Sequence, residues 1–346
     1  MENMLKWYDK KGSESDVVLS SRVRLARNFS DYNFADKLSD EDGQNMVHSV
    51  TGKFAQDHAG EYRPIFMSNC SEARRNALKD RRIISSYMVK SAGSAVILSP
   101  DDSVAVQLNG EDHVRIQALA GGMNLMSCYK LANDIDDYLD FNFDYAYDEK
   151  YGYKTSYPTN VGTGLRAGYT LHLPGLVRSK RISKISAELG RFGIKLKRLY
   201  GDEDGGHGCV FQISNQKSLG QTEKEIIKDL NDIAGQIINQ EREQRRSLYE
   251  KDRYRSEDIA YKSYGMLKYA RKLSLRDAMN FLSEVMLGFS MGILVPEGEQ
   301  SVTFNRMIME IQPSVLTDAA GKALSVDETD IMRAEYVRNN LLEISD

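Results

Sequence analysis

Three arginines and two serines crowd into Ser20-Ser21-Arg22-Val23-Arg24-Leu25-Ala26-Arg27. In an extended chain alternate side chains share a face, so Arg22 and Arg24 aim two guanidinium groups at one point. Planar guanidinium forks bind phosphate through paired hydrogen bonds, and the chemistry such a segment suits is recognition of a polyphosphate. An exposed edge strand with surface arginines carries the same pattern. A second run, Asn109-Gly110-Glu111-Asp112-His113-Val114-Arg115, collects carboxylate, imidazole and guanidinium groups at the end of a strand, where their protonation can be tuned. A simple strand terminus has the same look. Between Pro158 and Gly168, glycines and small hydroxyls permit close backbone approach to a ligand, with Arg166 available for phosphate. A tight turn is the alternative. From Lys197-Arg198 to Tyr200-Gly201-Asp202-Glu203-Asp204, bases precede an acidic, glycine-containing loop. Such a loop either closes over a cationic substrate or is ordinary acidic surface.

Familiar nucleotide and metal templates are missing. Gly162, Gly164 and Gly168 are spaced GxGxxxG, which fails the dinucleotide fingerprint, and neither GxxxxGK[ST] nor HExxH occurs. The chain has 346 residues, 46 Lys+Arg and 50 Asp+Glu, a net charge of −4. That balance argues against a nucleic-acid binder, which would show a basic excess. Cys70, Cys128 and Cys209 are odd in number and form no CxxC, as expected of reduced thiols in a cytoplasmic protein rather than a disulfide frame or zinc site. No apolar run reaches the ~18 residues of a membrane span, and no signal-peptide run opens the chain.

The elements that must position these groups are partly legible. Ala95–Leu98 and Val104–Leu108, separated by Pro100-Asp101-Asp102-Ser103, read as an antiparallel hairpin. Tyr169 to Leu173 and Cys209 to Ser214 are further strands. Strands do not alternate regularly with helices, so a doubly wound parallel sheet is not indicated. Beyond Gly220 the periodicity becomes helical: Ile226, Ile227, Leu230, Ile233, Ile237 and Ile238 recur at three- and four-residue steps. Ser274 opens another helix, and Ser325 with Glu328 forms a capping box. The mixed-charge run Glu241 to Glu257 reads as a solvated helix face marking a boundary. The length favours two domains: an α+β domain over 1–245, with an antiparallel sheet flanked by helices, and a mainly helical one over 246–346.

The strings SSRVRLARN, EDHVRIQ, PTNVGTGLRA, FQISNQ and TFNRMIMEIQPSVL, in this order, resemble the phosphagen-kinase (ATP:guanido phosphotransferase) superfamily. Their wording is most similar to its bacterial protein-arginine kinase branch. The resemblance runs from about Val17 to Leu342. It implies a kinase that transfers the ATP γ-phosphoryl group, with Mg²⁺, to arginine side chains of proteins. By motif, it assigns ATP contacts to Ser20, Ser21, Arg22, Val23, Arg24, Arg115, Arg166, Ala167, Gly168, Lys197, Arg198 and Gly201, with Tyr87 on the adenine side. Glu111 becomes the catalytic carboxylate, and Asp202 a second one. Asp330 and Arg333 match a phosphoarginine pocket. A homodimer, a zinc-finger activator and a Clp protease system are the partners implied.

Five positions depart from the family pattern. Gly110 replaces the first glutamate of NEEDH, Tyr157 a cysteine, Lys197 an arginine, Asp202 a glutamate, and Tyr87 a histidine. These departures keep open a weakened member acting as a phosphoarginine-binding adaptor. A small-guanidino phosphagen kinase is the other alternative, disfavoured by the short stretch of 19 residues ahead of Ser20.

Overall fold

The computed structural model describes residues 5–201, 206–298 and 302–345. The strands are β1 (Val18–Arg27), β2 (Arg63–Phe66), β3 (Ala95–Leu98), β4 (Val104–Leu108), β5 (Val114–Gly121), β6 (Tyr147–Asp148), β7 (Gly152–Tyr153), β8 (Leu165–His172), β9 (Ile194–Arg198) and β10 (Val210–Asn215). Eight of them form one sheet in the order β2-β3-β4-β5-β1-β8-β10-β9, while β6 and β7 make a small separate ribbon. Every pairing in the large sheet is antiparallel. The expected hairpin is β3–β4, and the arginine-bearing segment is β1, at the centre of the sheet rather than its edge.

Helices α1 (Asp40–Asp57), α2 (Glu72–Asp80), α3 (Ser86–Lys90), α4 (Leu125–Asn142), α5 (Pro174–Arg178), α6 (Ile182–Arg191) and α7 (Glu223–Lys251) accompany the sheet. One sheet face supplies Val23, Leu25, Ile116, Ala167 and Ile213 to the main core, where they meet Val47 and Phe54 of α1, Leu139 of α4 and Ile237 of α7. Each of these sheet residues alternates with a polar one that faces the other way, which leaves the opposite sheet face free for chemistry. Gly168 is required by packing. A Cβ there would lie 2.1 Å from the Ile213 carbonyl oxygen, so any side chain would prise β10 from β8.

The C-terminal region is helical, with α8 (Arg253–Tyr269), α9 (Leu275–Ser290), α10 (Phe304–Glu310), α11 (Pro313–Ala320) and α12 (Val326–Asn340) around a second core that includes Leu267, Leu282, Met307 and Val337. Ser274 caps α9, and Ser325 and Glu328 close the capping box of α12. The expected break at 245/246 falls inside α7, which runs unbroken to Lys251. The turn comes at Asp252, whose side chain caps α8 by accepting the Arg255 N–H at 3.0 Å.

The mixed-charge run is not uniformly solvated. Glu241 and Arg245 are 0% and 4% exposed. The Glu241 carboxylate accepts the N–H groups of Gly175 and Leu176 at 2.9 Å and the Arg245 Nε at 2.7 Å. Arg245 also donates to the carbonyls of Asp16 and His172, each at 3.0 Å. Full partnering is what makes burial of these charges tolerable.

Candidate active site

Antiparallel register assembles the cations. Arg24 stands opposite Gln117 of β5 and Arg166 of β8, Arg22 opposite Gly168, and Arg115 opposite Ala26. On the far side, Gln212 faces both Thr170 and Lys197. Directly paired residues project to the same face. Arg22, Arg24, Arg115, Arg166 and Lys197 therefore form one bed on the side of the sheet away from the main core. They line a recess of about 500 Å³, with Glu111 at its edge. A smaller recess of about 250 Å³ shares Arg24, Arg115 and Arg166 and is bounded by Tyr157, Thr159 and Asn160.

So many like charges strain one another. Burial, reinforced by Arg115 and Arg166, pushes the Arg24 guanidinium down to about 9. Burial and then Arg24, Arg82 and Arg115 lower Arg22 well below its ordinary value. Lys197 is lowered by burial and by Arg22, and Arg166 by burial. The buried Arg24 Nε meets no protein acceptor among the described residues. A polyanion laid along this bed would relieve both the repulsion and the missing hydrogen bonds.

Glu111 is the carboxylate of the bed. Its Oε2 lies 2.9 Å from Arg115 Nη2, and both side chains are largely buried. Its neighbours in sequence are structural. Asp112 accepts from Asn28 Nδ2 at 2.9 Å and from the Ser156 N–H at 2.7 Å. His113 accepts the Phe29 N–H on Nδ1 at 3.0 Å, so its Nε2–H donates to the Asn33 carbonyl at 2.8 Å. Burial lowers the imidazole's basicity, which keeps this neutral form. Asp112 thus ties the Glu111 turn to the chain that carries Tyr157. Arg27 braces the same region from β1. It is 1% exposed, pairs with Asp136 at 2.6 Å, donates to the Thr163 carbonyl at 3.0 Å and lies 3.5 Å from the Tyr153 ring centre.

The other expected contacts are dispersed. Ser20 is buried, and its hydroxyl has no protein partner among the described residues. Ser21 is occupied structurally, donating to the Gly122 carbonyl and accepting the Asn124 N–H, each at 2.7 Å. Val23 and Ala167 point into the main core, so only their backbone is available to a ligand. Arg198 lies across the Phe211 ring at 4.7 Å, on the face opposite Lys197. Gly201 has a left-handed φ of 86°, and Asp202 lies outside the described residues. Tyr87 of α3 is half-exposed beside Ser85 and Ser86, which line the larger recess. Gly110 leaves ordinary space for a Cβ, with its nearest neighbour, Met88 Cγ, at 3.7 Å.

Sequence reading missed Arg82, Lys195, Gln107, Gln117 and Gln212, all of which line the larger recess. Period-two alternation would have found Gln117, two residues beyond Arg115, and Lys195, two before Lys197. Asp330 and Arg333 are not brought to this cleft. Arg333 is 1% exposed and donates to the carbonyls of Ile311 at 2.9 Å and Leu273 at 2.8 Å, and to Asp330 at 2.5 Å. It is a strut joining α12 to the chain before α9 and after α10, rather than an open fork. Arg333→Ala strips donors from these buried acceptors and is expected to destabilise the protein by about 3 kcal/mol. Thermal unfolding checks this. An unchanged melting temperature would mean that the strut is dispensable.

Residues 43–244 match the family described as ATP:guanido phosphotransferase, C-terminal catalytic domain, and residues 253–346 match the protein-arginine kinase McsB C-terminal domain. The protein-arginine kinase of Bacillus subtilis (strain 168) is 38% identical, over 97% of this chain and 93% of its own. That of Desulforamulus reducens is 37% identical, over 98% and 96%. Among solved structures, the duplicated taurocyamine kinase from Schistosoma mansoni aligns with a TM-score of 0.59 at 23% identity, over 68% of this chain and about a third (34%) of that one. Lombricine kinase aligns at 0.57 and 19% identity, over 69% of each chain. These two likenesses establish the fold.

Proposed function

The chain belongs to the protein-arginine kinase family, and from that premise we propose that it phosphorylates arginine side chains of other proteins where the cationic bed meets Glu111. It is an ATP-dependent guanidino phosphotransferase. The observation that carries the site assignment is the Glu111–Arg115 pair at the edge of a bed whose Arg24, Arg115 and Arg166 border both recesses. The larger recess takes the triphosphate and brings its γ-phosphate to an acceptor guanidinium gripped at Glu111, beside the arginines shared with the smaller recess. The shared arginines then surround the phosphoryl group in flight.

A protein arginine is protonated in water and has no free lone pair for attack. Glu111, held on one oxygen by Arg115, has its other oxygen available to grip the guanidinium, align one nitrogen and take its proton. The bond from γ-phosphorus to the β-bridging oxygen breaks, the phosphorus–nitrogen bond forms, and ADP leaves with the electron pair. Positioning and charge neutralisation carry such a transfer, and no covalent enzyme intermediate is needed. Asp202 or its neighbour Glu203 supplies the second carboxylate in this proposal.

Mg²⁺ fits the site as a partner of the nucleotide. Among the described residues no three potential ligands cluster, and Glu111 is the one carboxylate lining the larger recess. A hard cation of this kind binds phosphate oxygens and keeps several waters, so a dedicated protein cage is unnecessary. It would neutralise charge on the β- and γ-phosphates. A homodimer, a zinc-finger activator and a Clp protease system belong to the proposal through the resemblance alone. No described helix is long and apolar enough to cross a membrane.

The test is incubation with ATP, Mg²⁺ and an arginine-rich protein, followed by mass spectrometry at neutral pH for acid-labile phosphoarginine. Modification of the protein, exceeding that of free arginine, is expected. ATP binding without phosphoarginine would overturn the proposal and favour the adaptor.

A further inference from the structure

Helix α2 ends in a way its sequence does not favour. The Arg82 N–H bonds to the Lys79 carbonyl at 2.8 Å and the Ile83 N–H to the Leu78 carbonyl at 2.9 Å. These are the two hydrogen bonds of a Schellman cap, with Arg82 at the left-handed position and φ of 63°. Glycine normally stands there, because a Cβ crowds the backbone in this conformation. The same chain has glycine there at the end of α11, where Gly321 has φ of 65°, but lysine at the end of α5, where Lys180 has φ of 57°. The backbone conformation gives no reason for an arginine at position 82, but the surroundings of its side chain do.

That side chain enters the larger recess from the α2 side, facing the sheet-borne arginines. Its Nη1 donates to Thr170 Oγ1 at 2.8 Å, and its Nη2 lies 3.3 Å from the Tyr200 hydroxyl. Both partners are neutral. Its neighbours behave differently: Arg81 pairs with Glu310 at 2.9 Å and Arg74 with Asp318 at 2.7 Å, both on the C-terminal helices. Among the described residues Arg82 meets no carboxylate; its charge instead helps depress Arg22 and Lys197. The position is held firmly, since the Arg82 carbonyl accepts Gln117 Nε2 at 2.6 Å and the Ile83 carbonyl accepts Gln107 Nε2 at 2.9 Å.

We propose that Arg82 is a phosphate-binding residue of the nucleotide site, which exchanges Thr170 and Tyr200 for phosphate oxygens and clamps the triphosphate from the side opposite the sheet. The inference rests on the kinase reading and adds a binding residue to it. Arg82→Gly separates this role from a merely structural one, because glycine suits the left-handed backbone. The substitution should leave the melting temperature of the nucleotide-free protein unchanged or raise it. Calorimetric titration should show ATP affinity reduced about 10- to 100-fold, the loss of one or two charge-assisted hydrogen bonds, with adenosine affinity unchanged. Arg82→Lys, which keeps the charge and loses the fork, should fall between. Undiminished ATP affinity in Arg82→Gly overturns the inference, as does a parallel loss of ATP and adenosine binding or a lower melting temperature. Wild-type protein that binds no ATP would instead overturn the kinase reading, and the inference with it.

Discussion

Glu111→Gln should abolish most phosphoarginine formation while leaving ATP bound. The side chain keeps its length and its place at the edge of the bed, but an amide can neither take the guanidinium proton nor offer a second charged oxygen to hold it. A positioned general base contributes about 10²- to 10⁴-fold, and turnover should fall by that factor. ATP affinity should change little or tighten slightly, because Arg115 loses its 2.9 Å ion pair and its charge becomes wholly available to phosphate. Glu111→Asp withdraws the carboxylate by one methylene, a displacement of about 1 Å that alone can cost on the order of 10²-fold. Initial rates on an arginine-rich protein at saturating ATP, with ATP affinity measured in parallel, decide the matter. Full activity in Glu111→Gln would transfer the base role elsewhere, with the acidic residues after Gly201 the first candidates. A matched loss of ATP affinity would make Glu111 a support for Arg115 instead.

The site was legible where local periodicity determines it. Arg22 and Arg24 had to share a face of β1, because a strand alternates its side chains, and the segments bearing Arg115, Arg166 and Lys197 carried recognisable wording. What no local pattern contains is which strands lie side by side. The edge or centre position of β1 depends on β5 and β8, more than 80 residues downstream. The misreading of Glu241 and Arg245 has the same origin. On a helix the pair looks like a solvated (i, i+4) bridge, and only the arrival of the Asp16 and His172 carbonyls and the start of α5 makes it a buried junction. Arg333 likewise matched a motif on its own helix, but its partners are the carbonyls of Leu273 and Ile311. Arg82 escaped for the same reason. Its signal is a charge that faces the sheet-borne arginines across the recess, an arrangement set by the fold.

Arg24→Gln is expected to weaken ATP binding and to stabilise the nucleotide-free protein, two effects of opposite sign from one cause. Arg24 sits between Gln117 and Arg166 at the middle of the bed and borders both recesses. Losing a guanidinium that grips phosphate removes about 1.5–3 kcal/mol per charge-assisted hydrogen bond, so ATP affinity should drop at least about tenfold. Without nucleotide, the same charge is a burden. Its pKa in the folded protein, about 9, lies well below that of the free side chain. A base with a lowered folded pKa subtracts stability at every pH below the folded value, and the penalty fades as pH rises from about 9 towards the ordinary arginine value. The neutral amide should therefore gain about 1 kcal/mol at pH 7, once screening by water in the open recess is allowed for. Wild-type stability should climb between pH 8 and pH 10 more steeply than that of the variant. Urea unfolding at those pH values, paired with ATP titrations, provides the measurement. A variant that binds ATP normally, or that loses stability at pH 7, would show that Arg24 holds the sheet together and is not held in tension for the phosphates.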